Sequence, residues 1–121
     1  MTRLLLVEDD DLVRELLTQE LSALGYETDS AKTQAEAERL LGIRSHDLIF
    51  CDLVLPDGRG SEVARLAKEF GIPAILMTGY QEVSEEMLFA GVLHLSKPFS
   101  VGTLRAVLEH HLGEPTENPS R

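Results

Sequence analysis

Four short apolar runs in this chain each stop abruptly at a polar or charged residue. Leu4-Leu5-Leu6-Val7 stops at Glu8-Asp9-Asp10-Asp11, and Leu48-Ile49-Phe50-Cys51 stops at Asp52. Ala74-Ile75-Leu76-Met77 stops at Thr78, and Val92 to Leu95 runs into Ser96-Lys97-Pro98-Phe99. Runs of this length without polar alternation suit strands buried on both faces. Between them lie segments with apolar residues at helical spacing, so the chain reads as a β-α unit repeated five times. That alternation implies an α/β fold, a parallel sheet covered by helices on both sides.

The helical segments are bounded by recognisable signals. Leu12 to Leu24 repeats Val13, Leu17, Leu21 and Leu24 on one face and meets Gly25 as a stop. Leu12 and Leu16 widen that stripe toward the acidic tip, as core or as docking surface. Tyr26 to Ala31 is a more polar strand, expected near the sheet edge, and Thr33-Gln34-Ala35-Glu36 matches a capping box for a helix to Ile43. Gly58 to Gly60 reads as a flexible loop before a helix from Ser61 to Phe70, with Val63, Leu66, Ala67 and Phe70 facing inward. Gln81 to Ala90 is expected to be a short helix. Ser100 caps a last helix whose inner face is Leu104, Val107, Leu108 and Leu112. Residues 1–113 therefore read as one domain, and 114–121 as a polar tail expected to be disordered.

Composition removes several classes of function. A net charge of −10 argues against direct nucleic-acid binding, which needs Lys and Arg to neutralise phosphates. No apolar run approaches the roughly 20 residues of a membrane span, and Leu4 to Val7 is too short for a signal peptide. The single cysteine, Cys51, lies in an apolar strand and reads as a small buried hydrophobe. A cytoplasmic location is the expectation.

Parallel strands share a direction, so Glu8, Asp9, Asp52, Thr78 and Lys97 are expected along one edge of the sheet. In open α/β sheets ligands bind at that edge. Taken singly, Asp52 reads as a turn former, Asp10 or Asp11 as a helix cap, Thr78 as a cap and Lys97 as a solvated charge. Together they describe a site. Asp9 and Asp52 suit Mg²⁺, a hard cation that takes oxygen ligands, and the Val54 backbone carbonyl can add another. Asp52 keeps one oxygen free to attack a phosphoryl group. The Lys97 ammonium and the Thr78 hydroxyl would hold phosphoryl oxygens, the positioning that phosphoryl transfer requires.

With these motifs the chain resembles the receiver domains of two-component response regulators. The resemblance covers about residues 3 to 112 and rests on Leu-Leu-Val-Glu-Asp-Asp at 5–10, Cys-Asp-Leu-Val-Leu-Pro-Asp-Gly at 51–58, Met-Thr-Gly at 77–79 and Lys-Pro-Phe at 97–99. It implies a flavodoxin-like sheet of order 2-1-3-4-5, Asp52 as phosphoacceptor, Glu8 and Asp9 as the acidic metal pair, Thr78 as switch hydroxyl and Lys97 as phosphate-binding lysine. It also implies a cis Lys97-Pro98 bond. A histidine kinase or histidine phosphotransfer protein would donate the phosphoryl group, and a downstream protein or fused output domain would read the change. No turnover of a separate substrate is implied, only self-phosphorylation and self-dephosphorylation. The chain departs from the family pattern in having His94 where an aromatic switch residue is usual, and a Thr78 to Gly91 segment about two residues short. Val54 and Tyr80 should shield the acyl phosphate from water. Two other readings stay open: a binding-only receiver fold, and a Mg²⁺-dependent phosphatase with an aspartyl nucleophile. The second is opposed by Val54, which stands where those enzymes place a second Asp.

Overall fold

A computed structural model describes residues 2–79 and 93–113. The elements run β1 (Arg3–Val7), α1 (Asp11–Ala23), β2 (Glu27–Ala31), α2 (Gln34–Ile43), β3 (Leu48–Asp52), β4 (Val54–Leu55), β5 (Gly58–Arg59), α3 (Gly60–Glu69), β6 (Ala74–Thr78), β7 (His94–Ser96) and α4 (Val101–Leu112). The expected helix at 81–90, Tyr80 and the tail at 114–121 lie outside the described residues.

The main sheet has the order β2-β1-β3-β6-β7, every pair parallel. This is the expected 2-1-3-4-5 arrangement, because β4 and β5 pair only with each other. Period-two alternation sends successive strand residues to opposite faces. Leu5, Val7, Ile49, Cys51 and Leu76 accordingly pack with Ala37 and Leu41 of α2 and Val63 and Ala67 of α3. Leu4, Leu6, Leu48, Phe50, Ile75 and Met77 pack with Leu17 and Leu21 of α1 and Leu104 and Leu108 of α4. Two apolar layers thus sandwich one sheet, and the polar strand ends are left at its margins.

Local chemistry sets the element ends. Asp10 caps α1 by accepting from Val13 N at 3.0 Å, and Ser100 caps α4 by accepting from Thr103 N at 3.0 Å. Gly25 follows α1 at φ 100°, a left-handed conformation that favours glycine. Thr33 caps α2 through Glu36 N, but Glu36 reaches back to Lys32 N rather than to Thr33.

Several expectations are corrected. Gly58 to Gly60 is not a flexible loop: Gly58–Arg59 forms β5 against β4, and Gly60 opens α3. Phe70 does not face the core but is 54% exposed, because α3 ends at Glu69 and Phe70 sits in its C-cap. Leu12 and Leu16 are surface residues, 66% and 50% exposed. The last strand, expected from Val92 to Leu95, is described over His94–Ser96; Leu93 before it is exposed, and Val92 lies outside the described residues. The Lys97-Pro98 bond is cis, as expected. Among the described residues, no helix is long and apolar enough to cross a membrane.

Candidate functional site

Strand register builds the site. Val7 pairs with Cys51, so Glu8 emerges level with Asp52, which itself pairs with Met77. Thr78, the next residue, pairs with Ser96, and Lys97 N donates to the Thr78 carbonyl at 2.7 Å. Four strands therefore deliver Glu8, Asp52, Thr78 and Lys97 to one edge of the sheet, in adjoining positions. Asp9 stands beside them, exposed. Glu8, Asp52 and Thr78 are buried at 1%, 6% and 0% exposure, which is unusual for side chains of this kind.

Each buried group has identifiable surroundings. Lys97 Nζ lies 2.5 Å from Asp52 Oδ1 and 2.8 Å from Glu8 Oε1. Asp10 N donates to Glu8 Oε2 at 3.2 Å. Thr78 Oγ1 is buried with no hydrogen-bond partner among the described residues. A buried hydroxyl without a partner is uncommon and calls for a ligand or an alternative arrangement. The cleft over these groups has a volume of about 310 Å³ and is lined by Glu8, Asp9, Asp10, Val13, Asp52, Leu53, Val54 and Lys97.

Electrostatics divides the two buried carboxyls. Burial, reinforced by the hydrogen bond with Glu8, pushes Asp52 up to about 8 against the opposing pull of Lys97. For Glu8, burial acts in the same upward sense, but the hydrogen bonds from Asp52, Lys97 and the Asp10 amide outweigh it and hold the group below its ordinary value. The two neighbouring carboxyls thus shift in opposite directions, Asp52 up and Glu8 down. Lys97 stays firmly charged: burial would lower it, and its two carboxylate partners more than compensate. Cys51 is buried beside this site, and that burial pushes its thiol far above the range of a reactive thiolate.

Glu8, Asp9 and Asp52 can each offer one oxygen, and these oxygens all lie within 4.8 Å of one another. Three carboxylates with oxygens this close fit a divalent cation, which would offset their repulsion. Of the four consecutive acids, the other two have separate tasks. Asp10 caps α1, and Asp11 pairs with Arg14 at 2.5 Å and Lys32 at 3.7 Å. Arg14 also donates to the Glu8 carbonyl at 3.0 Å.

The structure brings Glu8, Asp9, Asp52, Val54 and Lys97 around one cleft and Thr78 to the same sheet edge, while Tyr80 lies outside the described residues. His94 is partly buried in β7, opposite Leu76. Sequence reasoning missed Asp57, which it named only within the 51–58 motif. Its carboxylate accepts from Gln34 N at 2.7 Å and Ala35 N at 3.1 Å, capping α2 from across the fold. It also missed His46, buried with Nε2 2.8 Å from Asp29 Oδ2. Neither residue sits at a strand tip or in a helix stripe, so no periodicity marked it.

Comparison with known proteins gives a consistent picture. A family model described as the response regulator receiver domain matches residues 4–109. The chain is 37% identical over 112 residues to the KDP operon transcriptional regulatory protein KdpE of Escherichia coli, covering 89% of this chain and 50% of that protein. It is 35% identical to the response regulator MprA of a Mycobacterium species, covering 97% of this chain and 54% of that one. The chain therefore spans about half the length of these curated relatives. Among solved structures, the response regulator TrrA of Thermotoga maritima, in complex with Mg²⁺ and BeF, is 31% identical with a TM-score of 0.83, over 93% of this chain and all of that one. The receiver domain of a sensor histidine kinase from Pseudomonas aeruginosa, with a magnesium ion coordinated in its cleft, is 26% identical with a TM-score of 0.82, over 93% and 98% of the two chains.

Proposed function

This chain belongs to the response regulator receiver domain family of two-component signalling, and on that premise we propose that Asp52 is its phosphoacceptor. The observation that carries the proposal is the shared strand edge: three carboxylates, one lysine between two of them, and a buried hydroxyl without a partner. Glu8, Asp9, Asp52 and the Val54 carbonyl would hold Mg²⁺, the ion named in two of the solved relatives. Bound there, the ion supplies positive charge for the phosphoryl oxygens and keeps Asp52 ionised.

The protein's own groups do the rest. Asp52 Oδ attacks the phosphorus of a phosphohistidine on a histidine kinase or phosphotransfer protein. A P–O bond forms as the P–N bond breaks, and the departing imidazole nitrogen keeps the electron pair and takes up a proton from water. The Lys97 ammonium, already at Asp52, turns to a phosphoryl oxygen of the product. The Thr78 hydroxyl donates to another and so gains the partner it lacks. Its movement is the switch that changes the protein-binding surface, with His94 filling the aromatic position. Hydrolysis or back-transfer resets Asp52, without turnover of a separate substrate. The receiver unit is assigned to residues 1–113, acting through protein contacts rather than direct nucleic-acid contact, in keeping with the net charge of −10. Readout belongs to a downstream protein or a fused output domain.

Intact-mass spectrometry after incubation with Mg²⁺ and acetyl phosphate tests this reading. One added phosphoryl group is expected on the wild type, and none on Asp52→Asn or in the presence of chelator. An equal gain on Asp52→Asn overturns the assignment.

A further inference from the structure

The β4–β5 hairpin follows Asp52 directly and carries Val54, whose carbonyl is the one backbone metal ligand proposed above. The hairpin is fastened from two sides. Gly60 N donates to the Leu53 carbonyl at 2.7 Å, closing its base onto β3. At its tip, Asp57 accepts from Gln34 N and Ala35 N, the first two amides of α2. The Gln34 side chain returns the contact: its Oε1 accepts from Arg59 N at 3.2 Å, and Arg59 lies opposite Val54 in the β4–β5 pair. Glu38 Oε2 accepts from Gln34 Nε2 at 3.0 Å and so fixes which end of the carboxamide faces the hairpin. The fit is close, since a Cβ added at Gly58 would fall 1.7 Å from Gln34 Oε1.

A helix N-terminus has unsatisfied amides that a local cap ordinarily serves. Here Thr33 serves one, and a carboxylate from the phosphoacceptor loop serves two more. From Val54 the connection runs through Arg59 to Gln34 and on to Glu38, entirely outside the acidic cleft. We propose that Asp57 and Gln34 are positioning residues for the metal site: by strapping the hairpin to α2 they hold the Val54 carbonyl where a divalent cation can use it. The inference rests on the receiver reading above. It makes the α2 N-terminus sensitive to whether the cleft holds metal, because a shift of Val54 is carried through Arg59 to Gln34. Residues that orient a ligand from behind it commonly govern metal affinity by an order of magnitude or more.

The test uses the full chain as wild type, Asp57→Ala, Asp57→Asn and Gln34→Ala. Mg²⁺ affinity is measured by calorimetry, and amide hydrogen exchange is followed on the metal-free proteins. Asp57→Ala and Gln34→Ala are expected to weaken Mg²⁺ binding about ten-fold and to speed exchange at the Arg59 amide. Asp57→Asn removes the charge but keeps an acceptor, so it should restore most of the affinity and separate the hydrogen bonds from simple attraction of the cation. Wild-type Mg²⁺ affinity in both alanine variants, with only the melting temperature lowered, overturns the proposal and leaves a helix cap. Recovery of nothing by Asp57→Asn, with Gln34→Ala unaffected, also overturns it, in favour of long-range charge. A wild type that binds no Mg²⁺ is a different failure, that of the receiver reading itself.

Discussion

Lys97 Nζ lies 2.5 Å from Asp52 Oδ1, and the same ammonium is 2.8 Å from Glu8 Oε1. One cation thus serves two buried carboxyls. Replacing Lys97 by Met removes that service while keeping much of the stem volume. Because the lysine side chain is one-third exposed, the loss is discounted from that of a fully buried pair, to about 1–2 kcal/mol of metal-free stability. Two further readouts should move in opposite directions. Mg²⁺ should bind Lys97→Met more tightly, since the acids have lost their only internal cation among the described residues. Phosphorylation by acetyl phosphate should slow at least ten-fold. If calorimetry shows both falling, the lysine organises the carboxylates rather than the phosphoryl group.

Asp52 gives a prediction in pH. Its pKa is raised on folding from 3.8 to about 8. A raised pKa means that the stabilisation is complete below the unfolded value and is lost as pH rises toward the folded one. The metal-free protein should therefore lose stability between about pH 4 and pH 8 on this group's account. Asn in place of Asp52 has no proton to lose. Melting curves in chelator should show Asp52→Asn gaining progressively on the wild type across that window. Parallel curves would contradict the raised pKa of Asp52. Mg²⁺ displaces the same proton, so its stabilisation of the wild type should grow over the same range.

These two predictions use residues that the sequence made legible. A strand buried on both faces cannot hide a charge, so Asp52, Glu8 and Lys97 announced themselves by where the apolar runs stopped. Parallel direction, which follows from β-α alternation, then placed them together without any knowledge of register. What could not be read was anything settled by distant contacts. Asp57 drew no role of its own because its partners, Gln34 and Ala35, lie 23 and 22 residues away. Phe70 fitted the inward stripe of α3, yet the helix ends one residue before it. Leu12 and Leu16 matched a broad apolar face on α1, whereas only Leu17 and Leu21 of that helix are fully covered by the sheet.

Gly60 is constrained by space rather than by φ. A Cβ built there falls 2.0 Å from the Asp52 carbonyl oxygen and 3.1 Å from Cys51 Sγ. The obstacle is backbone, which cannot swing aside as a side-chain tip does. Gly60→Ala must push α3 and the hairpin away from β3, at a cost of about 2–3 kcal/mol. Urea denaturation measures the loss, and the Mg²⁺ affinity of the folded variant should fall with it. A stability within the error of the wild type would show that the hairpin yields freely.

Tyr26 offers the opposite case. The side chain is 4% exposed, and its hydroxyl has no hydrogen-bond partner among the described residues. Burial raises its pKa, helped by the nearby Glu109 charge. Removing a buried hydroxyl that makes no bond recovers a desolvation cost, so Tyr26→Phe should match or exceed the wild type by up to about 1 kcal/mol. The advantage should widen in alkaline solution, where the unfolded tyrosine ionises before the folded one. A clear destabilisation in urea would reveal a partner for the hydroxyl.

Val54 stands at the rim of the cleft, 49% exposed, with an apolar side chain next to the proposed acyl phosphate. Hydrolysis of that bond needs a water in line with the P–O bond, held by something that can accept or donate. Valine offers neither, and its methyl groups occupy the space. The phosphoryl group on Asp52 should therefore persist for minutes or longer, with the rate set by water access rather than by the bond's own reactivity. Val54→Asn keeps nearly the same volume but presents an amide that can hold the water, and should shorten the lifetime several-fold. Both lifetimes follow from intact mass against time after removal of acetyl phosphate. Loss of the label within seconds from the wild type would mean that water reaches the phosphorus by a path that Val54 does not guard.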